Sequence, residues 1–195
     1  MALVANANGF GLLQPGMAGP QVTRLDESMK LFDLRRAREL GGVVDYVIGA
    51  NPGGSVFLIG YSDDPTDKFY MDYYKMGDGP FYFFMRPYHL CHFETPFAIR
   101  EAVDHKAILT QKRRVLEVGC RAKSDLSPGV KLEGIGGRHV YGVLEEAGGL
   151  PVVLAGGTVL KRPKRKDESI TWEDISYPKD DSRIVVWEEQ HKLDS

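Results

Sequence analysis

The sequence is poor in cysteine, with two thiols, Cys91 and Cys120, in 195 residues. A pair this sparse, far apart and without a CxxC does not build the framework of a small secreted domain, nor a zinc or redox motif. It reads as two reduced, partly buried thiols. Long apolar runs are missing too: none approaches the roughly 18–20 residues needed to cross a bilayer. The first residues, Met1 to Asn6, lack a basic n-region and a long apolar core, so they are no signal peptide and cytoplasm is the expected location. An excess of one charge is also absent. With 25 Lys+Arg against 27 Asp+Glu, the net charge of −2 argues against nonspecific nucleic-acid binding.

Familiar catalytic signatures are missing as well. There is no GxSxG, no HExxH and no evident nucleophile–base pair. Two glycine-rich stretches, Asn51-Pro52-Gly53-Gly54 and Gly134-Ile135-Gly136-Gly137, are neither GxGxxG nor GxxxxGK[ST]. Neither has the strand–loop–helix context, or the acidic residue about 20 positions on, that a dinucleotide site needs. Both read as turns. No internal repeat or low-complexity tract is seen.

What is present is an ordinary globular mixture, 43% hydrophobic and 27% charged, which excludes global disorder. The length suits one domain or two small ones. It cannot hold a dinucleotide-binding half, a substrate domain and an accessory domain together. Residues 9–20 read as a Gly/Pro-rich loop. A helix is expected after Asp26 as cap, burying Met29, Phe32 and Leu40 and ending at Gly41-Gly42. Val43–Ile48 and Val56–Tyr61 read as adjacent strands around the 51–54 turn. Pro65–Tyr74 reads as a short helix, Phe81–Met85 as an apolar strand, and Thr95–His105 as a helix. Beyond Lys112-Arg113-Arg114 short strands and turns dominate: a strand at Val115–Cys120, a turn at Ser124–Gly129, and a helix or strand at Tyr141–Ala147. A short helix is expected at Ile170–Ile175 and a last strand at Ile184–Trp187. The basic run Lys161–Lys166 is followed at once by Asp167 and Glu168, so it reads as a solvated loop. The expected class is α+β, divided into residues 1–112 and 113–195.

The densest polar cluster is Arg86-Pro87-Tyr88-His89-Leu90-Cys91-His92-Phe93-Glu94, directly after an apolar strand. Polar groups at a strand end are held rigidly enough to line a cleft. Arg86 would grip a carboxylate or phosphate, or pair with Glu94. His89 and His92 would share one helical face, but no fourth metal ligand is identifiable and HxxH alone is weak. The second cluster is Lys75 before Gly77-Asp78-Gly79-Pro80, where a glycine turn lets backbone approach a ligand closely. Its plainer reading is an aromatic packing surface with a solvated lysine.

The run "VVDYVIGANPGGSVFLIGYSDDP" followed by "YMDYYKMGDGPFYFFMRPYHLCHFETPFAIREAV" resembles the substrate half of a family. These are homoserine dehydrogenase-like NAD(P)-dependent oxidoreductases with a C-terminal SAF domain, and they include the deoxyxylulose-phosphate reductoisomerase-like enzymes. The segment "RVLEVGCRAKSDLSPGVKLEGIGGRHVYGVLEEA", with "ITWEDI" further on, is similar to the family's SAF module, a small β-rich β-clip. The resemblance implies a partial substrate-binding or catalytic domain over 1–112 and a SAF-like domain over 113–195. It implies that Lys75, Arg86, Tyr88 and His89 face the substrate. No catalytic acid or base and no metal ligand is carried over. The family's nicotinamide cofactor, NAD(P), is bound by an N-terminal Rossmann domain to which nothing here corresponds. That domain would be supplied in cis or in trans, and the abrupt apolar opening reads as a longer chain cut short. The chain alone is expected to be inactive, with an apolar face left for the missing domain.

Three functions follow from this reading. The first is the substrate-binding and SAF portion of such an oxidoreductase, acting on a small polar, phosphorylated or unphosphorylated, carbonyl or hydroxy compound. The second is a non-catalytic SAF-type module for a sugar acid or related ligand, contacted by Lys123, Arg138 and His139. The third is an oligomerisation element, since a near-neutral charge permits a homo-oligomer.

Overall fold

The structure is a computed structural model that describes residues 1–88, 91–106 and 113–193. The helices are α1 (Ala2–Asn8), α2 (Leu34–Glu39), α3 (Pro65–Tyr73), α4 (Cys91–Val103), α5 (Val152–Ala155) and α6 (Ser182–Leu193). The strands are β1 (Val56–Tyr61), β2 (Phe81–Arg86), β3 (Leu116–Ala122), β4 (Val140–Glu146), β5 (Val159–Leu160), β6 (Ser169–Ile170) and β7 (Ile175–Ser176). This is a mixed α+β chain whose named strands all pair antiparallel. It divides into two compact units, residues 18–106 and a second unit joining Met1–Met17 to residues 113–193. Contacts thus add a division near residue 17 to the one that the sequence suggests near residue 112.

The first unit is built on a β1–β2 hairpin, register Val56↔Arg86 to Tyr61↔Phe81. One face carries the ring stack Phe32–Phe57–Phe83, with centroids 6.4 and 5.8 Å apart. Two strands alone bury little, so this stack and the buried Val22, Leu25 and Val44 supply its small core. The opposite face leaves Leu58 60% exposed, and α4 leaves Phe93 and Phe97 62% and 72% exposed.

The expected pairing of Val43–Ile48 with Val56–Tyr61 does not form. Ile48 instead bridges Gln21 in parallel, and β1 takes β2 as partner across residues 62–80. The cause is Asp45 in the middle of that run. Its carboxylate accepts the backbone N–H groups of Ala18 and Gly19 at 2.9–3.1 Å and turns the segment toward them. The helix expected after Asp26 is also broken in two. Leu25–Lys30 forms 3-10 turns, and Asp33, not Asp26, caps α2 by accepting the Arg36 N–H at 2.9 Å. Helix α3 forms as expected, with Asp64 capping the Thr66 N–H and Pro65 in the first turn. Helix α4 starts at Cys91, earlier than the Thr95-Pro96 pair suggests, and carries Pro96 inside it.

The second unit holds the larger core. Sheet β4-β3-β6 packs its buried Cys120, Ala122 and Val140 against Leu132, Leu150 and Leu154. The region around Ile170–Ile175 is strand, 3-10 turn, strand rather than a helix, closed by reciprocal bonds between Thr171 and Asp174. The strand expected at Ile184–Trp187 is instead part of α6. Asp181 accepts the Arg183 N–H with its carboxylate and the Ile184 and Val185 N–H groups with its carbonyl. Capping and i,i+3 burial of Ile184 and Trp187 thus outweigh the β-branched run, whose Val185 and Val186 stay exposed.

Candidate functional site

In the first unit the hairpin fixes where each proposed group stands. Arg86 is the last residue of β2. Its guanidinium meets the Glu94 carboxylate in the first turn of α4 at 2.9 Å, a favourable place for an acid on a helix. Ser55 Oγ donates to the carbonyls of Pro52 and Pro87, at 2.7 and 3.2 Å, and staples the β2 exit to the β1 entry. The Arg86 side chain remains 66% exposed, so its remaining N–H groups face solvent. Tyr88 follows in an exposed position, 64% accessible. His89 lies outside the described residues.

Lys75 follows α3 with a positive φ of 57°, a left-handed cap that glycine usually supplies. Its side chain is exposed. The turn after it carries Gly77 and Gly79 at φ 101° and 68°, and Ser62 N–H bonds the Pro80 carbonyl at 2.9 Å to close the hairpin connection. Lys75 therefore belongs to the connection at the Tyr61/Phe81 end, and Arg86 and Tyr88 to the Val56/Arg86 end. Of the proposed residues that are described, Lys75 thus stands at one end of the hairpin and Arg86 and Tyr88 at the other, not gathered at a point.

Two polar groupings had no local sequence signal because their members come from separate elements. Arg38 of α2 lies 3.8 Å over the Tyr61 ring and 3.8 Å from Asp63, while Tyr61 Oη donates to Asp63 at 2.7 Å. That hydrogen bond pushes the Tyr61 phenol up from its ordinary value. Asp45 with its loop partners is the other; they are 26 and 27 residues away.

In the second unit a cavity of about 350 Å³ is lined mainly by Leu116, Val118, Ile135, Val152, Val153 and Trp187. Its cation, Arg114, is held at 2.6 Å by Glu117 and lies 4.8 Å from the Trp187 ring. Lys123, Arg138 and His139 are all engaged around one turn. Lys123 Nζ donates to the Gly137 carbonyl at 2.6 Å, Arg138 pairs with Glu133 at 2.9 Å, and His139 Nδ1 accepts the Glu133 N–H at 3.1 Å. The Arg138 hydrogen bond holds Glu133 down at about 2.

The described residues do not fit a dinucleotide. Their sheets are small and antiparallel, with no switch point between parallel strands. The 51–54 turn leads into β1, and the 134–137 turn leads toward β4, so neither opens a helix onto a pyrophosphate. Among the described residues no three His, Cys, Asp or Glu side chains gather as a metal site. No described helix is long and apolar enough to cross a membrane.

No curated protein matches the chain. Residues 1–95, just under half of the chain, match the family model described as "Oxidoreductase DRL, catalytic domain". The chain is therefore similar over that stretch to an oxidoreductase catalytic domain, which supports a general oxidoreductase role.

Proposed function

We propose that this chain is the substrate-binding and SAF portion of an NAD(P)-dependent oxidoreductase of the homoserine dehydrogenase-like, reductoisomerase-like kind. The observation that carries the reading is the match of residues 1–95 to an oxidoreductase catalytic domain in a chain whose described sheets are all antiparallel. Reduction or oxidation by a nicotinamide needs a dinucleotide-binding unit, which a Rossmann domain would supply in cis or in trans. The exposed apolar side chains Leu58, Phe93 and Phe97 support a missing neighbour, because a solvated surface seldom carries so many. On the substrate side, Arg86 would grip a carboxylate or phosphate through its free N–H groups, Lys75 would add a positive charge, and Tyr88 and His89 would meet hydroxyls. The substrate is a small polar carbonyl or hydroxy compound bearing an anionic group. We further propose that the chain is cytoplasmic and forms a homo-oligomer.

The sugar-acid module is less well supported. Lys123, Arg138 and His139 already serve the 133–139 turn, and the neighbouring cavity is lined mostly by apolar side chains.

The test is reconstitution. The chain is co-expressed with a nicotinamide-binding Rossmann domain encoded next to it, and NAD(P)H oxidation is followed with phosphorylated and unphosphorylated sugar derivatives. Turnover is expected only when both parts are present. Turnover by this chain alone, or none in any combination, overturns the reading.

A further inference from the structure

Tyr82 is 2% exposed, and its hydroxyl has no hydrogen-bond partner among the described residues. A phenolic O–H sealed from water without an acceptor is costly, so such a group calls for an explanation. The turn before β2 lies directly against it. The Tyr82 hydroxyl and ring lie so close to Gly79 that a Cβ there would collide with them, and Gly79 holds a φ of 68° that suits glycine. The outer side of this turn is open. A Cβ on Gly77 would meet nothing within 4 Å, and Gly77, Asp78 and Pro80 are exposed. Gly77 and Gly79 both hold a positive φ in this turn, and the exposed Lys75 lies just upstream.

We propose that the Tyr82 hydroxyl is a hydrogen-bond donor reserved for a second oxyanion, a phosphate or a carboxylate distinct from the group that Arg86 would hold at the other end of the hairpin, which displaces the Gly77–Pro80 turn and is held jointly by Tyr82 and Lys75. This rests on the substrate-binding reading above and adds to it a residue that position alone did not suggest. The pairing is chemically apt: a lysine supplies charge as a point donor, and a buried phenol supplies one directed O–H in a place where competing water is excluded.

The test uses the whole chain, with inorganic phosphate and acetate as separate probes, followed by amide chemical shifts and by titration. Wild type is expected to bind at least one probe, and the probe preferred identifies the oxyanion. Lys75→Ala and Tyr82→Phe are each expected to weaken binding about tenfold or more. Tyr82→Phe should melt at or above the wild-type temperature, because it removes a buried hydroxyl without a partner. Tyr82→Phe binding as wild type does, while Lys75→Ala still binds more weakly, overturns the Tyr82 role and leaves the substrate-binding reading standing. Wild type binding neither probe overturns the inference, and the reconstitution assay then judges the wider reading separately.

Discussion

Lys164 Nζ lies 2.7 Å from Asp174 Oδ2, and both side chains are nearly sealed, 9% and 5% exposed. This one pair ties the basic loop to the 3-10 turn after β6. Lys164 also reaches the Glu168 carboxylate and the Ser169 carbonyl, and Asp174 also accepts from Thr171. The lysine of a run that reads as a solvated face is thus a structural anchor, while its neighbours Lys161, Arg162, Arg165 and Lys166 are exposed.

Burial alone would raise the Asp174 carboxyl, but the bonds from Lys164 and Thr171 outweigh it and hold it below its ordinary 3.8. Burial would lower Lys164, but Asp174 and Glu168 hold it above 10.5. A depressed acid contributes stability above its unfolded pKa and loses it as pH falls through the folded one. A raised lysine contributes below 10.5 and loses it as pH climbs through its higher folded value. Lys164→Met leaves Asp174 buried without its cation and should cost about 3 kcal/mol near neutrality. The gap to wild type should narrow below about pH 4, as the wild-type carboxylate takes up its proton. Urea melts at about pH 7 and about pH 3 measure both, and an unchanged gap would sink the assignment.

The two thiols should differ sharply in reactivity. Burial, with the Glu145 charge nearby, pushes the Cys120 thiol up to about 12, whereas Cys91 is exposed. Since the thiolate is the nucleophile, a disulfide reagent near neutral pH should modify Cys91 alone in the native protein and both thiols after unfolding. Mass analysis of the labelled peptides reads this directly. Rapid native labelling of Cys120 would contradict its burial.

Gly134 and Gly156 bring two backbones together in the second unit. A Cβ on Gly156 would lie 3.0 Å from Gly134 Cα and 3.2 Å from its nitrogen, atoms that no rotamer change can move aside. Gly156→Ala should therefore destabilise by about 1–3 kcal/mol. Gly53→Ala, where a Cβ meets nothing within 4 Å, serves as the control and should stay within about 0.5 kcal/mol. Equal melting temperatures for the two variants would refute the close approach.

These elements also mark what could be read from sequence. The β1 and β2 strands, helix α3 and the turns at 51–54 and 77–80 were legible because the signals are local: an apolar run, a proline in the first turn of a helix, glycine beside proline. The α6 helix was not, since Ile184-Val185-Val186-Trp187 has strand character and only the capping by Asp181 and the contact of Trp187 with Trp172, 4.7 Å between ring centroids, make it helical. The role of Asp45 was hidden for the same reason, its partners being distant in sequence. For the candidate site, composition and spacing marked Arg86 and Lys75 as groups of interest. They did not mark Tyr82, whose significance lies in burial and in the missing side chain of Gly79.

The Arg86–Glu94 pair offers a way to separate a ligand group from a structural one. At 66% and 42% exposure it is worth at most about 1 kcal/mol, so breaking it from either side should move the melting temperature little. In the reconstituted enzyme the two sides should diverge. Arg86→Ala removes the fork that would hold the substrate's anionic group, and KM should rise about tenfold or more. Arg86→Lys keeps the charge without the fork and should fall between. Glu94→Gln leaves the guanidinium in place and removes the charge that competes for it, so KM should stay level or drop. If the pair only joins β2 to α4, Arg86→Ala and Glu94→Gln both remove the same ion pair and should have alike, small effects on KM. Matching kinetics for those two variants would therefore remove Arg86 from the substrate site.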